Sequence, residues 1–527
     1  MVAVTGDGPQ RYDAVVVGSG FGGSIAALRL AEAGKSVCVL ERGRRYGLGE
    51  FPRDVTDVDA LLWEHPARPR SLGLYDARFL SGIGTVTASG VGGGSLVYAS
   101  IHIRPDASVF DGRGWPRSLD RDGLEPYYDR VAAMLHVRPL PEDVALPKRD
   151  AFRAAAAAVG REVFDPDQAV AWTEPPGDGR DACRLCAECE FGCQVGAKHT
   201  LDLTYLARAE ARGAVVVPRA LASHVAPARE GYTVVYRDLR DGAVRAVRGA
   251  RVVLAAGTLG TTEILLRSRD LARTLPELSP ALGTGFSGNG DFLGSIQNSR
   301  QDLVPWRGPD VTSVIRYLEE PPEFTLAAPT FSLPVMEVLA SLGQGSGRAL
   351  QRAGPALWPR LGTILRWALR RGLLSRPVRL RGPNAGDPAR MTNLFAIGRD
   401  SAGGRMGLRR GRLDVEWDYV RENRELIVRM EAAMREVADA YGGTFAPILT
   451  WNVFRRIVTV HPLGGCRLAE SRRRGVVSPE GEAFGYPGLY VADGSVIPSS
   501  IGFHPVMTIS AVAERIADAV VASYPGP

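Results

Sequence analysis

The run Ala14-Val15-Val16-Val17-Gly18-Ser19-Gly20-Phe21-Gly22-Gly23 constrains what this chain can fold into more than any other segment. A short apolar strand, Tyr12 to Val17, runs into three glycines spaced G-x-G-x-x-G, and a helical pattern (Ala26, Leu28, Leu30, Ala31) follows until Gly34. Strand, glycine turn and helix in that order predict a dinucleotide site. Gly18 makes the tight turn, Gly20 lets backbone approach a pyrophosphate, and Gly23 lets the helix pack close to the strand. The helix N-terminus adds unpaired N–H groups for phosphate oxygens. A second strand, Val37 to Leu40, ends in Glu41, 18 residues beyond Gly23, where a carboxylate suits a ribose hydroxyl.

Similar elements recur far along the chain. The cluster Gly90-Val91-Gly92-Gly93-Gly94-Ser95-Leu96-Val97 predicts backbone passing very close to a ligand. A strand from Arg251 to Ala256 leads through Gly257-Thr258-Leu259-Gly260 into a helix from Thr261 to Leu266. Near the end, Gly488 to Val491 reads as a strand closing on Asp493-Gly494, and a helix is expected from about Met507 to Val521. Elements of one type at both ends and in the middle predict an α/β fold. Its nucleotide domain is discontinuous, with a second, α+β domain inserted, an arrangement that explains the pattern better than two tandem domains. A chain of 527 residues is long enough for both cores.

Composition narrows the partners. The net charge of +6 is local, because nine arginines and no acid lie between Val338 and Gly386, and the remainder would carry −3. That gives no reason to expect nucleic acid. No run approaches the roughly 18 apolar residues of a membrane span. No cationic-then-apolar leader precedes the first strand, and six cysteines make no disulfide scaffold at this length, so a cytoplasmic protein is expected. Within 356–374, Leu357, Trp358, Leu361, Ile364, Leu365, Ala368 and Leu369 share one helical arc opposite Arg360, Arg366, Arg370 and Arg371. This predicts either a helix packed on the substrate domain or one resting on a membrane surface and admitting an apolar alcohol.

Taken together, these blocks resemble the glucose–methanol–choline family of FAD-dependent oxidoreductases, within its bacterial cholesterol-oxidase-like branch. The resemblance is carried by Gly18 to Gly23 with Glu41, Gly90 to Val97, Val253 to Gly257, Ser287-Gly288-Asn289-Gly290-Asp291, His461-Pro462-Leu463-Gly464-Gly465-Cys466, Tyr490 to Pro498, and His504-Pro505-Val506-Met507-Thr508. It runs from about residue 11 to 520 and is weakest from about 296 to 390. It implies a Rossmann-like FAD domain in three parts (1–135, 196–295 and 455–527), a lid and cysteine-rich loop at 136–195, and a substrate domain at 296–454. Gly18, Gly20, Gly23 and Glu41 would hold the adenosine diphosphate half of FAD. Gly90, Gly92, Gly93, Gly94 and Ser95 would pass beside pyrophosphate and flavin, and Asp493 and Gly494 would lie near the ribityl chain. The implied activity is oxidation of an alcohol to a carbonyl, with hydride passing to flavin N5 and electrons to oxygen or a redox carrier. A few relatives instead split hydroxynitriles, so a flavin-containing lyase is the alternative. A flavin-binding protein without turnover is disfavoured by the two histidines at family positions.

Those histidines are His461 and His504. A neutral imidazole suits removal of a hydroxyl proton near neutral pH. His504 stands where cholesterol oxidases have asparagine, which keeps a hydrogen-bonding partner for the substrate oxygen but weakens a claim to sterol. Sequence leaves the base open between the two, with the helix after His504 tilting the choice slightly towards it. The remaining histidines read as surface or core residues.

Four of the six cysteines, Cys183, Cys186, Cys189 and Cys193, form C-x2-C-x2-C-x3-C. The density resembles a ferredoxin run, although Gln194 replaces the usual proline. An iron–sulfur cluster, zinc, and free or paired thiols all remain open readings. A cluster would favour a dehydrogenase over an oxidase.

Overall fold

A computed structural model describes residues 10–54, 57–63, 71–112, 114–333, 335, 336, 358 and 387–525. The amphipathic stretch at 356–374 therefore lies outside the described residues, Trp358 excepted. Strand β1 (Arg11–Val17) is buried from Ala14 onward, as a central parallel strand must be. It pairs in parallel with β2 (Val37–Glu41) on one side and with Val244–Leu254 on the other. Helix α1 (Phe21–Glu32) follows β1 and ends before Gly34, which takes the left-handed backbone of a helix stop.

The main sheet has seven strands. Val215–Pro218 lies outside β2, and the long strand Val244–Leu254 divides its far edge between two partners. The antiparallel strand Tyr232–Asp238 takes its first half, and the parallel strand Leu489–Val491 takes its end. Strands far apart in sequence thus meet in one sheet, the discontinuous arrangement predicted. The helix after Val244–Leu254 begins at Gly257, four residues before the expected start.

A six-stranded antiparallel sheet, including Phe292–Gln297, Phe324–Ala327 and Thr392–Gly398, forms the inserted substrate domain. Its register sets Leu293 and Ala327 opposite Phe395 on the two neighbouring strands. The C-terminal helix, Val506–Ala522, returns to pack on α1. Arg29 donates to both oxygens of the fully buried Glu514 at 2.7 Å, and the Tyr205 hydroxyl joins them. Breaking such a buried pair typically costs about 3–5 kcal/mol. It holds the first and last helices together and so brings the segment before Val506 towards the glycine turn.

Candidate active site

A cavity of about 800 Å³ runs from Glu41 and Arg42 to His461 and His504. At its first end the glycines serve different purposes. Gly18 has φ +99°, and a Cβ there would lie 2.2 Å from the Ala255 carbonyl oxygen. A Cβ on Gly23 would sit 1.9 Å from Gly18 O, the close helix–strand approach expected. Gly20 differs, because a Cβ there would meet only Gly93 Cα, at 4.0 Å. Its missing side chain borders open cavity. No side chain caps α1, so its first-turn amides are left for a ligand. Gly22 was not singled out from sequence, yet its Cβ would collide with Ala492 O at 1.4 Å, because the end of Leu489–Val491 runs against α1.

Glu41 closes β2 and binds the glycine turn. One carboxylate oxygen accepts from Ser19 N at 3.0 Å and Ser19 Oγ at 2.7 Å, and the other from Gly43 N at 2.7 Å. Ser19 Oγ in turn accepts from Gly92 N at 3.0 Å, so the two glycine clusters are joined. Gly93 and Gly94 line the cavity, whereas Gly90, Gly92 and Ser95 lie behind it. The Ser95 hydroxyl donates to Gly92 O and accepts from Leu201 N, so it braces the loop from within. Asp493 and Gly494 also reach the cavity. The Asp493 carboxylate accepts from Gly257 N, Thr261 Oγ1 and Ser495 N, tying the helix that starts at Gly257 to its own turn. A glycine cradle, open helix amides and a carboxylate at one end of a long cavity fit the phosphates and ribose of FAD.

At the other end, Asp291 governs His461. Its Oδ1 lies 2.9 Å from His461 Nδ1, and its Oδ2 accepts from the N–H groups of Val460 and His461 and from the Thr459 hydroxyl. Asp291 is fully buried. Because a carboxylate only accepts, the imidazole proton sits on Nδ1 and Nε2 carries the lone pair. The loop holding Asp291 is itself fixed by Asp400, which accepts from Ser287 Oγ, Gly288 N and Gly290 N. Burial pushes the Asp400 carboxyl up to about 6.

Asn289, on the same loop, positions the second histidine. Its side-chain oxygen accepts from Ile501 N and Gly502 N, and its amide donates to Phe503 O. His504 follows directly, with its ring edge-on to His461 at 5.4 Å between centroids. Burial, and then the nearby His461, push its pKa well below 6.5, so the ring is neutral. Its buried Nδ1 has no hydrogen-bond partner among the described residues. Phe395 stacks on His461 at 5.4 Å and presents an edge to His504. One seven-residue strand from the second sheet thus packs an aromatic ring against both histidines.

Of the open readings for the cysteine motif, the arrangement is that of free thiols. Cys183, Cys186, Cys189 and Cys193 are all free thiols, with Cys186 exposed and the other three half-buried. Among the described residues no three Cys, His, Asp or Glu side chains are placed to share a metal ion. The loop instead takes its shape from partners distant in sequence. Lys198 donates to Cys189 O, Leu96 O and Tyr98 O, Asp310 accepts from Cys189 N and Glu190 N, and Leu185 O and Ala187 N both bond to Gly308. Burial pushes the Cys183 thiol up to about 12.

Known proteins resemble this chain along most of its length. Family models described as GMC oxidoreductase match residues 12–269 and 404–513. A cholesterol oxidase of Mycobacterium tuberculosis is 30% identical over 96% of this chain and 90% of its own. A long-chain-alcohol oxidase of Arabidopsis thaliana is 27% identical over 97% of this chain and 68% of its own. Among solved structures, a formate oxidase of Aspergillus oryzae superposes with a TM-score of 0.67 at 14% identity, covering 98% of this chain and 99% of the other.

Proposed function

The chain belongs to the GMC oxidoreductase family as an FAD-dependent enzyme acting on alcohols, and on that premise we propose that it oxidises an apolar primary or secondary alcohol to its carbonyl with His461 as the proton acceptor. The pairing of Asp291 with His461 carries this reading. With Nδ1 committed to the carboxylate, Nε2 is the basic atom, and the developing imidazolium faces a fixed negative charge. Sequence tilted the choice towards His504, but among the described residues no carboxylate backs that ring. Its neutral ring on the cavity wall suits it to hold the substrate oxygen. Gly20, Glu41, Gly93, Gly94, Asp493 and Gly494 are the residues that would hold FAD. When bound, FAD supplies the hydride acceptor. Phe395 keeps water from the histidine pair by covering both rings.

An apolar substrate is supported by Leu293, Val311, Pro329, Phe331 and Phe395 in the cavity wall. The relatives named for cholesterol and for long-chain alcohols support the same class. Histidine at position 504, in place of the asparagine of cholesterol oxidases, weighs against sterol as the defining substrate. Among the described residues no helix is long and apolar enough to cross a membrane.

The test is anaerobic mixing of the holoenzyme with primary, secondary and sterol alcohols. Bleaching of the flavin absorbance with formation of the matching carbonyl is expected. An unbleached flavin, with cleavage of a hydroxynitrile, would establish the lyase alternative instead.

A further inference from the structure

Of the four carboxyls that the described residues place on the cavity wall, Glu41, Glu263 and Asp493 are hydrogen-bonded to protein groups and the fourth, Glu190, is not. Glu190 sits within the cysteine loop on a backbone held from both sides: its N–H donates to Asp310 Oδ2 at 2.7 Å, and its carbonyl accepts from the Tyr75 hydroxyl at 2.5 Å. Beyond it, Arg53 donates to the carbonyls of Phe191 at 2.7 Å and Gly192 at 2.6 Å. Before it, Lys198 donates to Cys189 O at 2.6 Å. A backbone fixed this firmly fixes where the side chain starts.

Glu190 lines the same cavity as His461 and His504, among apolar neighbours. Phe191 stands edge-on to Phe331 at 5.8 Å and to Tyr75 at 6.5 Å, and Val311 and Phe331 share the wall. The Glu190 carboxyl makes no hydrogen bond to the described residues. The cations around it are committed elsewhere. Lys198 holds three carbonyls, Lys148 holds Pro309 O and Thr330 Oγ1, and Arg53 is paired with Glu188. Glu190 is half-buried, and a carboxyl without a protein partner on a backbone held this firmly is available to a ligand in the cavity. Burial and the Asp310 carboxylate beside it push Glu190 upward, towards the protonated form that offers an O–H donor beside its acceptor oxygen.

We propose that Glu190 is the specificity-determining residue of this site: its carboxyl hydrogen-bonds a second polar group, a hydroxyl or carbonyl, on an otherwise apolar alcohol. Preferred substrates are accordingly bifunctional, with an apolar span between the oxidised hydroxyl and the recognised group. This rests on the alcohol-oxidation reading above and adds the substrate class to it.

The holoenzyme and its Glu190→Leu and Glu190→Gln variants are assayed with alkan-1-ols and alkane-1,ω-diols of matched chain length. The parent should prefer diols of one length. Glu190→Leu should lower kcat/KM for that diol by about tenfold or more while leaving the matched alkanol unchanged or improved. Glu190→Gln should retain the preference. Equal loss on both substrates, or no diol preference in the parent, overturns the proposal. If Glu190→Leu does not load FAD, Glu190→Ala makes the same comparison. A second readout separates this from the oxidation reading. Perturbation of the flavin spectrum by a matched hydroxyketone and ketone reports binding without turnover. Weakened binding of the hydroxyketone alone in Glu190→Leu supports the proposal even where no alcohol reduces the flavin, and unchanged binding of both refutes it.

Discussion

Asp291 and His461 stand 170 residues apart in sequence and 2.9 Å apart in space, through Oδ1 and Nδ1. The remaining bonds of the acid go to backbone N–H groups and a threonine around the histidine, so both ring plane and tautomer are set by one buried carboxylate. Replacing Asp291 with Asn keeps the shape and removes the charge. Flavin reduction by alcohol should slow by about 10²–10⁴, with FAD retained. Stopped-flow absorbance of Asp291→Asn is the measurement, and a parent-like rate would remove His461 from the role of base.

Much of this arrangement was legible in the chain, and the exceptions share a cause. The turn at Gly18, Gly20 and Gly23 is local, so its glycines predict their contacts. The collision facing Gly22 is not, since Ala492 reaches it only through sheet pairing. Asp291 lay inside a recognised motif, but its partner could not be read before the loop from Ser287 to Asp291 met Thr459 to His461. Glu190 was hidden as a spacer between cysteines. The cysteine spacing left several readings open because thiols at metal-like intervals say nothing of Asp310, Lys198 and Gly308, which shape that loop from elsewhere.

Two glycine substitutions should part company. A valine at Gly18 would force its Cβ into Ala255 O, so Gly18→Val should yield little folded protein. At Gly20 the added side chain enters cavity, not protein. Gly20→Val should be soluble with a parent-like far-ultraviolet spectrum and little bound FAD. Flavin absorbance per mole of protein decides this, and full FAD content in Gly20→Val would show that the cradle lies elsewhere.

The cysteine loop should be metal-free. Anaerobically purified protein should contain no stoichiometric iron, zinc or acid-labile sulfide, and Cys186→Ser should leave the flavin spectrum unchanged. Iron and sulfide lost together in Cys186→Ser would restore the cluster that the spacing suggested.

His504 makes stability depend on pH in a stated direction. Its folded-state pKa is depressed well below 6.5, so as the pH falls through about 6.5 the unfolded chain takes up a proton that the native ring refuses. The stabilisation present above that pH is therefore lost on acidification. His504→Asn should flatten the decline by up to about 1.4 kcal/mol per pH unit below 6.5. Thermal midpoints of parent and variant at stepped pH test it, and parallel curves would mean that the buried ring carries no such penalty.

The two histidines should also differ in kinetics. His461→Ala removes the atom that takes the proton and should slow flavin reduction by about 10²–10⁴. His504→Ala removes a hydrogen bond to the substrate oxygen and should cost less. With ring centroids 5.4 Å apart and one substrate oxygen between them, the pair acts as a unit, so the double variant should be little slower than His461→Ala alone. Rapid-mixing reduction of both single variants and the double variant gives the ranking. A larger loss in His504→Ala would exchange the roles of the two rings. Parent-like rates in both would place proton removal on another group.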